Sequence, residues 1–158
     1  MELAYLSLGS NVGDREANLR EAVRRLAEDG KLRGISGLYE TQPVDMVNQP
    51  WFLNCVVALE TEKQPQDLMQ SALALEEEMG RIRVRDKGPR KIDIDIVLFG
   101  DRVMDTERLR IPHPEMHKRR FVLQPLADIA PEARHPLLKK TAVELLAAAG
   151  EGQIVRKL

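Results

Sequence analysis

The sequence has a single cysteine, few aromatic side chains and no long apolar run. One cysteine, Cys55, excludes an intramolecular disulfide and favours a reducing compartment, so we expect a cytoplasmic protein. The longest apolar runs, Cys55–Leu59 and Leu145–Ala149, have five residues each, whereas a membrane-spanning helix needs about 20. No membrane span is therefore expected, and the start at Met1-Glu2, which lacks a basic region, predicts no secretory signal.

The net charge is also close to zero: the chain has 24 Lys and Arg residues and 25 Asp and Glu residues, which gives −1. This balance argues against a general binder of nucleic acids or membrane surfaces. The total nevertheless conceals two opposite segments. Residues 81–91 contain six basic side chains and one acidic, a net of +5, and residues 60–79 contain one basic and six acidic, a net of −5. A nearly neutral chain therefore carries a short cationic segment.

The order of predicted elements is typical of one α+β domain over residues 1–158. The first helix should begin after Asp14, and the second should run from Pro65 to about Met79. Apolar patterns predict strands at 2–8, 32–41, 52–61 and 91–99. The result is β-α-β followed by β-α-β, which is the ferredoxin-like split βαβ arrangement of an antiparallel sheet.

The C-terminal third predicts further elements outside that core arrangement. A short hairpin is expected through Val103 and residues 109–111, and a helix within 115–130 whose pattern Pro125 interrupts. Thr141 opens a capping box for a last helix that ends at Gly150. These additional helices would cover the sheet and give three layers, α/β/α.

The most informative segment is the strand predicted after the cationic residues, which carries two aspartates. Because alternate side chains of a strand share a face, Asp93 and Asp95 point to one side, with Cα atoms roughly 6.5 Å apart. Two carboxylates at this spacing suit one or two hard cations such as Mg²⁺, which binds carboxylates together with phosphate oxygens. The alternative is an ordinary half-buried strand with a polar outer face, although Asp is depleted in strands.

The cationic segment before the aspartates indicates phosphate chemistry. It contains Arg81, Arg83 and Arg90, and the planar fork of arginine binds phosphate through two hydrogen bonds. We interpret residues 81–91 as a mobile lid over anionic phosphates, and the alternative is a solvated surface loop. The sequence contains neither a P-loop motif nor a Gly-x-Gly-x-x-Gly after a strand, so metal and arginines would hold any nucleoside triphosphate.

Two other features suit a flat polar ligand. Phe52 and Asn54 share one strand face, where an aromatic ring can stack on a heterocycle and an amide can hydrogen-bond its edge. The alternative for Phe52 is plain core packing. His113 lies between two prolines and would donate to a phosphate or a sugar, or it is a turn histidine at a hairpin end.

Six short motifs follow one another in order along most of the chain, from about residue 3 to 131. They are Gly9-Ser10-Asn11, Tyr39-x-Thr41-x-Pro43, Gln49-Pro50-x-Phe52-Leu53-Asn54, Gly80-Arg81-x-Arg83, Gly88-Pro89-Arg90-x-x-Asp93-Ile94-Asp95 and Ile111-Pro112-His113-Pro114-x-Met116-His117-x-Arg119-x-Phe121-Val122-Leu123. Together they resemble the 6-hydroxymethyl-7,8-dihydropterin pyrophosphokinase family. A single motif is weakly specific, but all six at the family's intervals are highly specific.

The resemblance implies a ferredoxin-like enzyme of folate biosynthesis. Such an enzyme transfers pyrophosphate from ATP to the hydroxymethyl group of 6-hydroxymethyl-7,8-dihydropterin and releases AMP. It implies ATP as co-substrate and two Mg²⁺ ions held by Asp93 and Asp95, with Arg81 and Arg90 as further catalytic residues. We expect a monomer whose partners are these small molecules, with no nucleic acid and no membrane.

The resemblance also implies the binding residues. The ATP site would contain Glu76, Arg83, Ile96 through its backbone, Arg108, Arg110, His113 and Arg119. The pterin site would contain Gly9, Thr41, Pro43, Val44 and Asn54, with Phe52 and Phe121 on the two faces of the ring. The loops at about 43–50 and 81–91 would be mobile, and Lys87 stands where some members of the family have an aromatic lid residue.

Two other classes of protein share parts of this pattern. Nucleotidyltransferases of the polymerase-β type also place an Asp-x-Asp strand after Gly-Ser, but about a dozen residues separate the two motifs there. Here Gly9-Ser10 precedes Asp93 by more than 80 residues, so that reading fails on spacing. A ferredoxin-like RNA-binding module would need exposed aromatics and a basic face, whereas aromatics are 4% of this chain and its excess positive charge is confined to one loop.

Overall fold

A six-stranded antiparallel sheet lies at the centre of the structure. The computed structural model describes residues 1–42, 50–80, 91–150 and 155–158. The strands of the sheet are β1 (Glu2–Ser10), β2 (Lys31–Ile35), β3 (Tyr39–Thr41), β4 (Phe52–Thr61), β5 (Asp93–Phe99) and β8 (Val155–Lys157). Their order is β5-β1-β4-β3-β8, and β2 also pairs with β4. Two further strands, β6 (Met104–Asp105) and β7 (Arg110–Ile111), pair with each other as a separate two-stranded sheet.

Four α-helices and one short 3-10 helix are described. They are α1 (Arg15–Leu26), α2 (Pro65–Glu78), the 3-10 helix (Met116–Lys118), α3 (Arg120–Ile129) and α4 (Ala142–Ala148). The side chain of Asp14 caps α1 by accepting the Ala17 N–H at 3.1 Å, as predicted. The predicted capping box of α4 is also present, because the Thr141 N–H donates to Glu144 and the Glu144 N–H donates to Thr141.

Each face of the sheet packs against its own pair of helices. On one face, side chains such as Leu6, Leu19 and Leu68 form a core with α1 and α2, and all three are at most 1% exposed. On the other face, Val97 and Leu123 belong to a second core with α3 and α4. The two cores make a three-layer α/β/α structure, since burial of apolar area on both sides is what holds such layers together.

The strand order confirms the predicted fold. The strand after α2 lies beside β1, β1 lies beside β4, and the strands after α1 lie beyond β4, all antiparallel. This is the order of the ferredoxin-like split βαβ motif, in which the two crossing helices cover the same face. The chain is therefore an α+β fold with additional C-terminal helices on the opposite face.

Three predicted features of these elements differ from the observed ones. The single strand expected at 32–41 is wrong: β2 and β3 are separate, and between them the Ser36 hydroxyl takes the place of a backbone carbonyl by accepting the Val56 N–H at 2.9 Å. The strand expected from residue 91 begins at Asp93. The helix expected within 115–130 is confirmed by α3, but the expected interruption is wrong: Pro125 is buried inside the helix, where packing offsets the lost hydrogen bond.

The strand β8 was not predicted at all. It has three residues, Val155–Lys157, and two of them are exposed, so neither its length nor its hydrophobicity distinguishes it from a loop. Within the four described ranges, no helix combines the length and the apolar composition that crossing a membrane requires.

Candidate functional site

Three neighbouring strands bring a row of candidate residues together. β1 lies between β4 and β5, and Gly9 pairs with Asn54 on one side and with Asp93 on the other. Paired residues of antiparallel strands have Cα atoms about 4.5–5.5 Å apart, so Asn54 and Asp93 lie about 10 Å apart across Gly9. Residues separated by more than 80 positions in sequence thus become neighbours.

Gly9 occupies the middle of this row because a side chain would not fit. A methyl group added there would lie 2.6 Å from Asn54 Oδ1 and 3.3 Å from Phe52 Cδ1. The first distance is far below van der Waals contact, so any other residue would displace the Asn54 amide. The glycine therefore serves close approach of side chains rather than an unusual backbone angle.

The Asn54 amide is also held from the other side by Thr41. Asn54 Nδ2 donates to Thr41 Oγ1 at 2.5 Å, and the two residues are 4% and 2% exposed. β3 and β4 place them on adjacent strands, with Tyr39 opposite Asn54 and Thr41 opposite Phe52. The buried amide thus has a fixed orientation, which is what recognition of a ring edge requires.

The two aspartates lie on the sheet face opposite the core of α1 and α2. Ile92, Ile94 and Ile96 are at most 3% exposed and belong to that core. Asp93 and Asp95 alternate with them and are only half-buried. A strand with one apolar face and two carboxylates on the other is the predicted arrangement, and its hard oxygen donors fit Mg²⁺, which binds one or two carboxylates and leaves the remaining positions to water and phosphate.

The backbone between the aspartates is fixed by a buried glutamate. Glu76 on α2 is 2% exposed, and its Oε2 accepts the Ile94 N–H at 2.8 Å. In the described part of the chain β5 is an edge strand, so an N–H on its outer side has no neighbouring strand there to bond. The resemblance implied an ATP contact for Glu76, whereas in the structure this carboxylate bonds the strand that carries Asp93 and Asp95.

His113 and Arg119 lie close to one another near Asp93. Burial, followed by the charge of Arg119, lowers the pKa of His113 to about 4, and the charges of Glu115 and Asp93 partly oppose this shift. His113 Nδ1 accepts the Glu115 N–H at 3.1 Å, so the neutral ring carries its proton on Nε2. His113 is therefore a neutral donor at pH 7.

Phe121 follows at the start of α3, on the side of the sheet that carries the aspartates. The guanidinium of Arg119 lies 5.7 Å from the centre of its ring, and Phe121 packs at the margin of the second core. Arg119 covers one part of the Phe121 ring, and the Phe121 side chain is otherwise only half-buried. Phe52, on β4, is half-buried as well.

Three further described residues were predicted to bind ATP: Arg108, Arg110 and Ile96. Arg110, on β7, is exposed and forms an ion pair with Asp105 of the neighbouring strand, with Nε and Oδ1 3.2 Å apart. Arg108 is exposed in the turn before β7. The Ile96 side chain is buried in the core, so only its backbone is available for a ligand.

Five predicted site residues lie outside the described residues. They are Pro43, Val44, Arg81, Arg83 and Arg90. The predicted loops at 43–50 and 81–91 fall almost entirely in the same two gaps. Their roles stay predictions.

Sequence reasoning missed contacts that reach the site from distant parts of the chain. Asn11 Nδ2 donates to the Pro50 carbonyl at 3.2 Å, and Arg15 Nη1 donates to the Trp51 carbonyl at 3.0 Å. Arg156 on the unpredicted strand β8 lies over the Trp51 ring at 4.9 Å. The quoted motifs contain Asn11 and Pro50, but none of them contains Arg15 or Arg156.

The fold and this site define a small α+β protein that holds an amide, an aromatic ring and a pair of carboxylates on one face of an antiparallel sheet. Residues 5–131 match the family model described as 7,8-dihydro-6-hydroxymethylpterin-pyrophosphokinase. The chain belongs to this family. The curated relatives are named as 2-amino-4-hydroxy-6-hydroxymethyldihydropteridine pyrophosphokinases and as folic acid synthesis proteins.

Curated relatives of bacterial origin match along most of their length. A 2-amino-4-hydroxy-6-hydroxymethyldihydropteridine pyrophosphokinase of Aquifex aeolicus is 41% identical over 144 residues, which cover 91% of this chain and 90% of the relative. The Folic acid synthesis protein fol1 of Schizosaccharomyces pombe is 42% identical over 147 residues, 92% of this chain. The chain spans only 20% of that fungal protein and 18% of its Pneumocystis carinii counterpart.

Solved structures show the same fold at low sequence identity. Wild-type Plasmodium falciparum HPPK-DHPS with pteroate matches with a TM-score of 0.73 and 20% identity, over 93% of this chain and 42% of that chain. The A437G/K540E form with pterin and p-hydroxybenzoate matches with a TM-score of 0.74 and 20% identity. These likenesses concern the fold.

Proposed function

We propose that this protein transfers the terminal pyrophosphate of ATP to the hydroxymethyl group of 6-hydroxymethyl-7,8-dihydropterin and releases AMP, in a reaction that depends on Mg²⁺. The row Asn54–Gly9–Asp93 carries the proposal. In this row Gly9 lies between the oriented amide of Asn54, which suits a pterin edge, and the carboxylate of Asp93, which suits a metal. A fold of this kind hosts many functions, so the site and the family together support the choice.

The pterin would lie on the Asn54 side of the row. The buried Asn54–Thr41 pair offers a carbonyl oxygen and a hydroxyl for the ring edge, and Gly9 keeps the amide in place. Phe52 and Phe121 are half-buried aromatic side chains that would contact the two faces of the ring. Pro43 and Val44 would complete this site, as the resemblance implies.

The triphosphate would lie on the Asp93 side. Asp93 and Asp95 would hold two Mg²⁺ ions. When bound, the metal supplies Lewis-acid stabilisation of charge on the phosphate oxygens. Neutral His113 would donate from Nε2, and Arg119 beside it would bind phosphate oxygen. The remaining contacts proposed for ATP come from Glu76, Arg81, Arg83, Arg90, Ile96, Arg108 and Arg110.

The residues of the chain would act chiefly by positioning the two substrates. In phosphoryl transfer the reacting oxygens and phosphorus must be aligned, and little covalent chemistry falls to the protein. A rigid sheet suits this task, because Gly9, Asn54 and Asp93 are fixed by two ladders of backbone hydrogen bonds. Arg81 and Arg90 would stabilise the charge of the transferred group.

One assay tests the whole proposal. Conversion of ATP to AMP is followed with and without hydroxymethyl-dihydropterin, and with and without magnesium. We expect AMP and pyrophosphorylated pterin in equal amounts, and only when both are present. Formation of ADP, or AMP formation that does not require the pterin, would overturn the proposed reaction.

We further infer that residues 1–158 act as a single pyrophosphokinase domain, that the protein is a cytoplasmic monomer, and that its partners are small molecules. Light scattering coupled to size-exclusion chromatography tests the oligomeric state against a chain mass of 17.9 kDa. A measured mass of twice that value would contradict the monomer.

A further inference from the structure

Four side-chain and backbone contacts form a closed ring next to the proposed pterin site. Glu40 Oε2 pairs with Arg15 Nη2 at 3.0 Å, and Glu40 Oε1 pairs with Arg156 Nη2 at 2.6 Å. Arg15 Nη1 donates to the Trp51 carbonyl at 3.0 Å, and the Arg156 guanidinium lies 4.9 Å from the centre of the Trp51 ring. Each arginine therefore contacts both Glu40 and Trp51. We call these four residues the Arg156 ring.

The Arg156 ring joins the residues that directly precede two proposed pterin residues. Glu40 precedes Thr41 and Trp51 precedes Phe52, and Thr41 and Phe52 are paired partners of β3 and β4. A contact that fixes Glu40 relative to Trp51 thus fixes the spacing of the two strands where Thr41 and Phe52 stand. The Thr41–Asn54 hydrogen bond depends on the same spacing.

The strand that carries Thr41 needs such support because it is short. β3 has three residues, and a short strand with one neighbour is weakly held. β8 gives it a second neighbour, with Glu40 opposite Arg156 and Thr41 opposite Val155. The Leu158 N–H, which donates to the Leu38 carbonyl at 2.9 Å, extends this contact past the strand end.

Charge supports the same arrangement. The hydrogen bond from Arg15, and then that from Arg156, hold the pKa of Glu40 below its usual range despite partial burial. Glu40 is therefore ionised at neutral pH and stays paired with both guanidinium groups. Trp51 is the only tryptophan of the chain, so tryptophan fluorescence reports on the Arg156 ring without a signal from any other tryptophan.

From this geometry we propose that Arg156, at the C-terminal end of the chain, is a positioning residue for pterin recognition: through Glu40 and Trp51 it sets the distance between Thr41 and Asn54. The inference rests on the proposed pterin-dependent reaction and extends it to β8, which pairs with β3 and is separated by it from the strand that carries Asn54. It assigns β8 a role in affinity for the flat substrate and none in affinity for the triphosphate.

The test compares Arg156→Ala with a matched control. The control is Arg33→Ala. Arg33 Nη2 lies 2.6 Å from Glu60 Oε1 on a neighbouring strand, which is the same distance and the same kind of pair as Arg156 with Glu40. Glu60, however, lies six residues along the chain from Asn54. Calorimetry then measures binding of hydroxymethyl-dihydropterin and of a non-hydrolysable ATP analogue with magnesium. Arg156→Lys keeps the charge and should recover part of the loss.

We expect Arg156→Ala to weaken pterin binding about tenfold, since loss of a cation–π contact and of an ion pair each costs part of that factor. Affinity for the ATP analogue should stay unchanged, KM for the pterin should rise more than kcat falls, and Trp51 emission should shift to longer wavelength. Arg33→Ala should change none of these. Far-UV circular dichroism checks that each variant is folded.

Two outcomes would overturn the inference. Pterin affinity of Arg156→Ala equal to that of wild type would do so, and so would an equal loss of affinity for both substrates. A second variant, Glu40→Gln, guards against a local unfolding of β8, because it removes the ion pairs and leaves Arg156 over Trp51. Failure of the proposed function is distinguishable, because the wild-type protein itself would then bind no pterin and form no AMP, and the inference would fall with it.

Discussion

The buried carboxylate of Glu76 accepts the backbone N–H of Ile94, the residue between Asp93 and Asp95, at 2.8 Å. A helix residue 18 positions away thus holds the strand that presents both aspartates. Among the described residues no strand pairs with the outer edge of β5, and this carboxylate takes the place of such a partner. Position and orientation of the proposed metal ligands are therefore linked to α2.

Replacement of Glu76 should test this link. Glu76→Ala leaves the buried Ile94 N–H without this acceptor, so we expect a loss of about 1–3 kcal/mol in the free energy of unfolding. Magnesium-dependent AMP formation should fall as well, because the aspartates lose a fixed backbone. Urea unfolding and steady-state rates measure the two effects.

Glu76→Gln provides the control, since its amide oxygen still accepts the N–H. It should retain most of the stability that Glu76→Ala loses. If both variants were as stable and as active as the wild type, the bond would have no role in the site.

Asp95→Asn should lower turnover by about a hundredfold or more, with the fold retained, because an amide is a much poorer ligand for a hard cation than a carboxylate. Asp93→Asn should behave in the same way. AMP formation at increasing magnesium measures the effect, and Asp101→Asn, an exposed change in the turn after β5, is the matched control. Near-normal turnover of either variant would refute the assignment of the metal.

Gly9→Ala should weaken pterin binding far more than binding of ATP. The new methyl group would lie 2.6 Å from Asn54 Oδ1, so the amide must move and its bond to Thr41 is strained. Calorimetry with each substrate separates the two effects. Gly34→Ala, in β2, is the control, because its nearest neighbours would lie at 3.7 Å or more, in ordinary contact. Equal affinities of the Gly9 variant and the wild type would contradict this account.

Cys55 should not react with a thiol reagent at pH 8 while the protein is folded. It is 1% exposed, and burial raises the pKa of its thiol to about 12, so almost no thiolate is present. Titration with a chromogenic disulfide should detect one thiol in denaturant and none in the native protein. Rapid reaction of the native protein would mean that the core of β4 opens easily.

His135 should make stability rise with pH in the mildly acidic range. Its Nδ1 accepts the N–H groups of Leu137 and Leu138 at 3.2 and 3.1 Å, and burial, followed by the charge of His117, lowers its pKa. Between this lowered pKa and about 6.5, the unfolded chain binds the proton and the folded chain does not, so the folded state gains stability as pH rises.

Urea unfolding at a series of pH values measures this dependence for the wild type and for His135→Asn. The variant should have a lower stability at neutral pH and a shallower slope below pH 6.5. Parallel slopes for the two proteins would show that His135 titrates alike in the folded and unfolded chains.

The sequence alone determined the features that depend on near neighbours. Alternation of Ile92, Ile94 and Ile96 with Asp93 and Asp95 fixes the two faces of β5, and the capping residues Asp14 and Thr141 fix the starts of two helices. Cys55 in an apolar strand is placed in the core by the same reasoning. The order of the predicted elements led to the ferredoxin-like arrangement, since only a few topologies join such elements with short connections.

Only the tertiary structure decided which distant residues meet. The pairing of Gly9 with both Asn54 and Asp93 depends on strand order and register, and a register shift of one residue would turn every side chain to the opposite face. The bond of Glu76 to Ile94 and the contact of Arg156 with Trp51 likewise join residues that no local period relates. The periodicity of apolar residues in the sequence indicates which side of a helix or strand is buried. Which residues become partners across the sheet depends on how the whole chain packs.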